Sequence, residues 1–263
     1  MYDFSYHKPG SVADAVKMLG ADGEAKALAG GMTFIPVLKQ RLNKPSAVVD
    51  LSAAGLSGIK LEGDKLIIGA MTTHATVASS PEVKKAIPAL AHLANNIGDR
   101  QVRSRGTIGG SLANNDPSAC YPSAVLALGA TIHTNQRKVA ADDYFQGMFA
   151  TALEPGEIIT AVEFPMAERA AYAKFPNPAS RYAMVGVFVA KTAKGVRVAV
   201  TGAGQNGVFR HAAMEAALST SFTPDAIKSV TTPADMMNAD IHGSAAYRAH
   251  LVGVMAARAV AAA

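Results

Sequence analysis

Ala29-Gly30-Gly31-Met32-Thr33 and Thr107-Ile108-Gly109-Gly110-Ser111 are the two stretches on which the reading of this chain turns. Each joins adjacent glycines to a hydroxyl side chain. Adjacent glycines let the backbone turn through positive φ and approach a ligand with no Cβ in the way. Their N–H groups can converge on an anion, and the neighbouring hydroxyl adds a donor. One such loop means little. Two of them, each after an extended or basic segment and each leading into a predicted helix, point to one long phosphate-bearing ligand held from two sides. A pair of tight turns with no ligand is the other reading of the same residues.

Outward from the first loop, residues 1–57 read as a small α/β unit. Ser11 is a predicted N-cap, with Asp14 three residues on, for a helix through Ala15, Val16 and Leu19. Ala25–Ala29 reads as a short strand entering the loop. Phe34, Ile35, Val37, Leu38 and Leu42 then carry helical spacing, with Pro36 tolerated in the first turn. The loop therefore falls at a predicted helix N-terminus, where phosphate is favoured. Ala47–Leu51 reads as another strand.

Around the second loop, residues 58–168 read as a second unit. Ile59–Leu61 and Leu66–Ile68 flank Glu62-Gly63-Asp64-Lys65, a hairpin pattern. Thr72 or Thr73 caps a helix. Pro81–Asn96 reads as helical, interrupted at Pro88. Arg100, Arg103 and Arg105 run directly into the loop and suit an anionic ligand, an acidic partner surface or a solvated loop. Ser123–Leu128 reads as a helix, and Ala130–Thr134 and Ile158–Phe164 as strands.

Residues 169–263 read as a third unit. Tyr172–Phe175, Met184–Ala190 and Val196–Thr201 are predicted strands, the last two joined at Lys194-Gly195. His211–Leu218, a start at Thr223-Pro224-Asp225 and Ser244–Ala262 are predicted helices. Gly202-Ala203-Gly204-Gln205-Asn206-Gly207 matches the dinucleotide pattern G-x-G-x-x-G. It lacks the βαβ context, because the acid that should bind a ribose, Asp225, sits at a helix start and the preceding strands read as hairpins. A Rossmann site is rejected here.

Composition narrows the chemistry. With 49% hydrophobic and 17% charged residues, the 263-residue chain has the make-up of an ordered globular protein with a real core. Its one cysteine, Cys120, excludes an internal disulfide, a Cys-rich zinc site and any iron–sulfur cluster held by this chain alone, since such clusters take about four thiolates. A net charge of +5 is scattered, without aromatic–basic runs, so nucleic acid is not the expected partner. No signal peptide or membrane span is read, and the cytoplasm is the expected compartment. There is no P-loop and no nucleophile elbow. The seven histidines, His74 among them, are dispersed and read as surface or core residues. Asp142-Asp143 reads as a helix cap rather than a metal pair. No catalytic acid–base pair and no metal set emerge, which suits a chain whose chemistry belongs to a cofactor.

In this order, Phe4–Ser11, Ala29-Gly30-Gly31, Gly69–Thr73, Arg103–Gly110, Pro155–Ile159, Lys174-Phe175 and Ser180–Ala183 resemble, over the full length, the FAD-binding medium subunits of the molybdenum hydroxylases, the group of aerobic carbon monoxide dehydrogenase and xanthine dehydrogenase. The resemblance implies an α+β chain, with a two-subdomain FAD-binding unit of the PCMH type (1–57 and 58–168) and a C-terminal flavoprotein domain (169–263) holding a small antiparallel sheet and helices. It implies that Ala29, Gly30, Gly31, Met32 and Thr33 cradle the FAD pyrophosphate. Thr107, Ile108, Gly109, Gly110 and Ser111 would pack along pyrophosphate and ribityl chain. Ile158 and Lys174 would line the flavin site, and Tyr182 would stack near the ring. Met32-Thr33 replaces a more usual Gln or His followed by Ser. Many relatives carry Asp at Cys120, against the sugar or ribityl chain. A thiol is a weak donor and poor acceptor, so Asn114 or Asp116 is expected to take over that contact.

The implied function is electron transfer. A large partner would oxidise substrate at molybdopterin, and a small partner would carry [2Fe–2S] clusters. Electrons would pass through FAD here to an external acceptor, in a dimer of heterotrimers, with attachment to the inner face of the membrane through the complex left open. A self-contained flavin oxidoreductase, a nucleotide-binding assembly protein and a nucleic-acid binder are the rivals.

Overall fold

The computed structural model describes residues 1–263. Its first unit is a three-stranded parallel sheet in the order β1-β3-β2, built from β1 (Ser5–His7), α1 (Val12–Ala21), β2 (Lys26–Leu28), α2 (Phe34–Lys39) and β3 (Ala47–Asp50). Parallel neighbours need crossovers, and the two helices supply them. Ser11 caps α1, its Oγ accepting from the Asp14 N–H at 3.1 Å. α2 stops at Lys39, so Leu42 lies outside it and stands 72% exposed.

The second unit opens with the hairpin β4 (Ile59–Glu62) and β5 (Lys65–Gly69). Helices α3 (His74–Ser79), α4 (Pro81–Ala86), α5 (Pro88–Asn95), α6 (Arg100–Arg105), α7 (Ile108–Asn114) and α8 (Tyr121–Leu128) follow. Thr73 caps α3, and each proline sits in the first turn of its helix. The basic segment 100–105 is itself a helix, not a loop. Asp99 caps it by accepting from the Val102 N–H at 2.7 Å, an Asp-x-x pattern that the arginines mask in the sequence. The chain then returns through β6 (Thr131–Thr134), β7 (Lys138–Ala140), α9 (Ala141–Tyr144), the small hairpin β8 (Phe145–Gly147) and β9 (Ala150–Thr151), and β10 (Ile159–Pro165). The sheet order is β4-β5-β10-β6-β7, antiparallel throughout. Asp142-Asp143 lies within the first turn of α9 rather than capping it. Asp142 pairs with Arg197 at 2.9 Å and Arg210 at 3.4 Å.

The third unit is the meander β11 (Arg169–Pro176), β12 (Ala183–Thr192), β13 (Gly195–Thr201) and β14 (Phe209–Arg210), with α10 (Ala212–Thr220) and α11 (Ala245–Ala262). Ser244 caps α11. β12 is the strand around which two cores divide. Val185, Val187 and Val189 face α10 and α11, while Phe188 and Ala190 face the second unit. A strand covered on both faces is apolar without alternation, and Ala183–Ala190 is buried throughout. α8 fills the space between that sheet and the second unit. All eight of its residues are buried, as expected for a helix apolar around its whole circumference. No helix is long and apolar enough to cross a membrane.

Candidate functional site

A cavity of about 890 Å³ is walled by all three units, in the size range of small-molecule and cofactor sites. Every residue expected at the cofactor borders it except Ile108.

The first loop leaves β2 and enters α2. Gly31 has φ +74°, the left-handed conformation the sequence anticipated. The N–H groups of Gly30, Gly31, Met32 and Thr33 donate to no atom of the protein. The Thr33 hydroxyl makes no capping bond either. Four consecutive unpaired donors on a cavity wall have the character that suits an anion, because a donor without an acceptor is unfavourable once water is excluded.

The second loop is built differently. The Ile108 N–H donates to the Thr72 carbonyl at 3.1 Å and that of Gly109 to Ala70 at 2.8 Å. The Gly110 N–H donates to Thr107 Oγ1 at 3.1 Å, and the Ser111 N–H to the Thr107 carbonyl at 3.0 Å. The amides of Ile108, Gly109, Gly110 and Ser111 are all engaged, so the expected convergence of N–H groups on a phosphate does not occur there. Ile108 is fully buried in the core of the second unit and does not reach the cavity. Its side chain follows the inner face of α7, while Thr107, Gly109, Gly110 and Ser111 form the wall. Neither glycine here has positive φ. They are needed for close approach. A Cβ on Gly109 would stand 2.6 Å from that of Ala70, and one on Gly110 3.1 Å from that of Ala29. A Cβ on Gly30 would lie 2.1 Å from the Arg105 carbonyl oxygen. The two loops thus pack directly on each other.

The remaining wall gathers Asn114, Asp116, Cys120, Ile158, Lys174 and Tyr182. Asp116 accepts from the Ser118 N–H at 2.8 Å. Cys120 is buried, and its Sγ lies 3.6 Å from Lys174 Nζ, which also donates to the Asn96 carbonyl at 2.7 Å. Tyr182 is half-exposed in the turn before β12 rather than in the core. Burial first, then Asp116 and Cys120, raise its phenol above the ordinary range. Ile158 is fixed by its N–H donating to Asn135 Oδ1 at 2.8 Å. Beside it Glu157 takes Arg137 on both oxygens, at 3.1 and 3.0 Å, and Thr134 Oγ1 at 2.6 Å. Arg137 is the main cause that holds this carboxyl down at about 2.

The three arginines do not border the cavity. α6 turns Gln101 and Val102 toward it, and Arg103 donates to the carbonyls of Ile97 and Gly98 at 3.1 and 3.3 Å. Gly202 has a supporting role: its N–H and the Thr201 hydroxyl donate to the Pro117 carbonyl at 2.8 and 3.0 Å, bracing the 116–120 segment. β13 runs antiparallel to β12, so the G-x-G-x-x-G there opens no βαβ unit. The sequence reading missed Glu157 and His74 on the wall. Glu157 was within a quoted motif, but nothing local distinguished His74 from the other histidines.

Residues 2–167 match the family model described as the FAD binding domain in molybdopterin dehydrogenase. The carbon monoxide dehydrogenase medium chain of Afipia carboxidovorans is 36% identical over 274 residues, covering 98% of this chain and 95% of that one. The nicotine 6-hydroxylase medium subunit of Paenarthrobacter nicotinovorans is 36% identical over 262 residues, with 94% and 92% covered. The structure of carbon monoxide dehydrogenase from Hydrogenophaga pseudoflava, in a form lacking the Mo-pyranopterin moiety, is similar with a TM-score of 0.90 at 35% identity, covering 100% of this chain and 97% of that one.

Proposed function

The chain belongs to the family of FAD-binding medium subunits of molybdenum hydroxylases, and from that membership we propose how its own residues serve the flavin. It is the FAD-binding component of an oxidoreductase complex. The cavity fits the group on its own evidence. The free N–H row at Gly30–Thr33 matches a pyrophosphate, and the tight seam between the two glycine loops leaves backbone rather than side chain facing the ligand. That row of four unpaired donors is the observation that carries the reading.

Bound FAD supplies the redox chemistry, accepting and passing on electrons. Gly30, Gly31, Met32 and Thr33 hold its phosphates through their N–H groups and the Thr33 hydroxyl. Thr107, Gly109, Gly110 and Ser111 form a close wall beside it, by shape rather than by amide bonds. Asn114 and Asp116 offer polar groups where Cys120, turned toward Lys174, is a poor acceptor. Ile158 and Lys174 line the ring region, and Tyr182 presents an aromatic face to it.

The single cysteine excludes a [2Fe–2S] cluster held by this chain alone, and family membership supports clusters in a small partner subunit and molybdopterin in a large one. A dimer of such heterotrimers in the cytoplasm is the proposed assembly. Medium chains named for carbon monoxide and for nicotine are each 36% identical to this one, so substrate choice resides in the molybdenum subunit. We place the unit boundaries at 1–57, 58–168 and 169–263, which the three successive sheets support. The self-contained flavin oxidoreductase is not favoured, since relatives matched over nearly their whole length are subunits of complexes.

Purification from the native host, with flavin quantification and identification of accompanying chains, tests this. One FAD per chain, lost in Gly110→Val, together with an iron–sulfur and a molybdopterin subunit, is expected. A colourless protein travelling alone would overturn it.

A further inference from the structure

His74 borders the cavity yet is only 5% exposed. It is locked in place from its main chain: its N–H donates to the Gly106 carbonyl at 2.9 Å, and Thr73 bridges to Thr107. The ring leans on Tyr121, with centroids 5.3 Å apart. The backbone makes room for it, because a Cβ on Gly106 would lie 2.6 Å from His74 Nε2. A core histidine ordinarily satisfies at least one ring nitrogen. Here Nδ1 is buried with no partner, while Nε2 makes no hydrogen bond to the protein and is not sealed off. With the ring this rigidly seated and Nδ1 sealed off, Nε2 is the nitrogen open to a molecule bound in the cavity, which can complete it.

We propose that His74 is a hydrogen-bonding residue of the flavin site, completed by the bound FAD. This rests on the FAD reading given above. Burial first, and the neighbouring Arg103 second, lower its pKa to about 4, so the ring is neutral at physiological pH. A neutral imidazole offers one donor and one acceptor, and it adds no charge to the flavin surroundings. Gly106, which also borders the cavity, then has a second reason to be glycine: it opens the gap through which the ring edge faces the ligand.

The experiment compares His74→Phe and His74→Gln with the wild type in the protein purified with its accompanying chains. Phe keeps an aromatic ring against Tyr121 and removes both nitrogens. Gln restores a donor and an acceptor. Expected for His74→Phe are unchanged melting of the flavin-free protein, altered flavin absorption bands and about tenfold weaker FAD binding, equivalent to ~1.4 kcal/mol. His74→Gln should recover most of that loss. Wild-type affinity and spectrum in His74→Phe would show that the ring only packs, and would overturn the proposal. If the Phe variant does not fold, the imidazole ¹⁵N resonances of wild-type His74 decide: they should shift on FAD addition, and unchanged resonances would overturn it. A wild type that takes up no FAD fails the site reading itself, which is a separate outcome.

Discussion

The two glycine loops share a sequence pattern and do different work. The first leaves four N–H groups free, carries a left-handed glycine and leads into a helix of six residues with no side-chain cap. The second has the amides of Ile108 to Ser111 engaged, no left-handed glycine and a helix capped by Thr107. One presents free donors to the cavity, and the other is a closed wall packed against it. Paired glycines with a hydroxyl therefore specify close backbone approach, but not what approaches.

The sharpest challenge to this contrast is Gly30→Ala. Glycine at the first loop is also required by the wall, since the new Cβ would meet the Arg105 carbonyl at 2.1 Å and Gly106 Cα at 2.8 Å, both backbone. Overpacking with nothing free to move is expected to cost about 3 kcal/mol or more and to abolish FAD binding. A calorimetric melt close to wild type would separate the two loops again.

Next in size is Glu157→Gln, on the cavity wall beside Ile158. The folded-state carboxyl is depressed from 4.5 to about 2, chiefly by Arg137. Its stabilisation is therefore complete above the unfolded value and is lost as pH falls from 4.5 toward 2. Arg137 is 44% exposed, so solvent screening reduces the contribution to roughly 2 kcal/mol. The variant should melt lower at pH 7, and the gap to wild type should close over that acid range.

The two threonines then separate the loops directly. Thr107→Val removes a helix cap and should cost about 1 kcal/mol in denaturant unfolding. Thr33→Val removes a hydroxyl with no capping bond, so stability should hold within about 0.5 kcal/mol while FAD titration shows weaker binding. Equal stability losses in both would erase the distinction. The smallest effect on folding is expected for Tyr182→Ala, because that side chain is half-exposed. Flavin fluorescence should change in this variant, and an unaltered spectrum would remove Tyr182 from the ring.

Much of the fold was legible because it is locally coded. Ser11, Thr73 and Ser244 cap helices through a residue three positions on. Pro81 and Pro88 open helices, and hairpins form at Gly63 and Gly195. The short strands β7, β8 and β9 were not legible, since two or three residues carry no usable period. The site was legible as a set of cavity-wall residues, with Ile108 as the exception. Its neighbours face the cavity, but the turn of α7 sends its side chain into the core. The arginines were misplaced because charge beside a loop says nothing about which face of a helix carries it. His74 was missed because an idle nitrogen is a fact about every other residue around it.

By itself the sequence determined most of the helices, the hairpins at Gly63 and Gly195, the two close-approach loops, and a one-cysteine chain that leaves clusters to partners. These depend on neighbours within a few positions or on counts. Only the tertiary structure decided which amides stay free, which glycines meet backbone, and which side chains line the cavity. Hydrogen-bond satisfaction and steric contact are set by atoms distant in sequence, such as Ala70 and Thr72 beneath the second loop and Arg105 against the first.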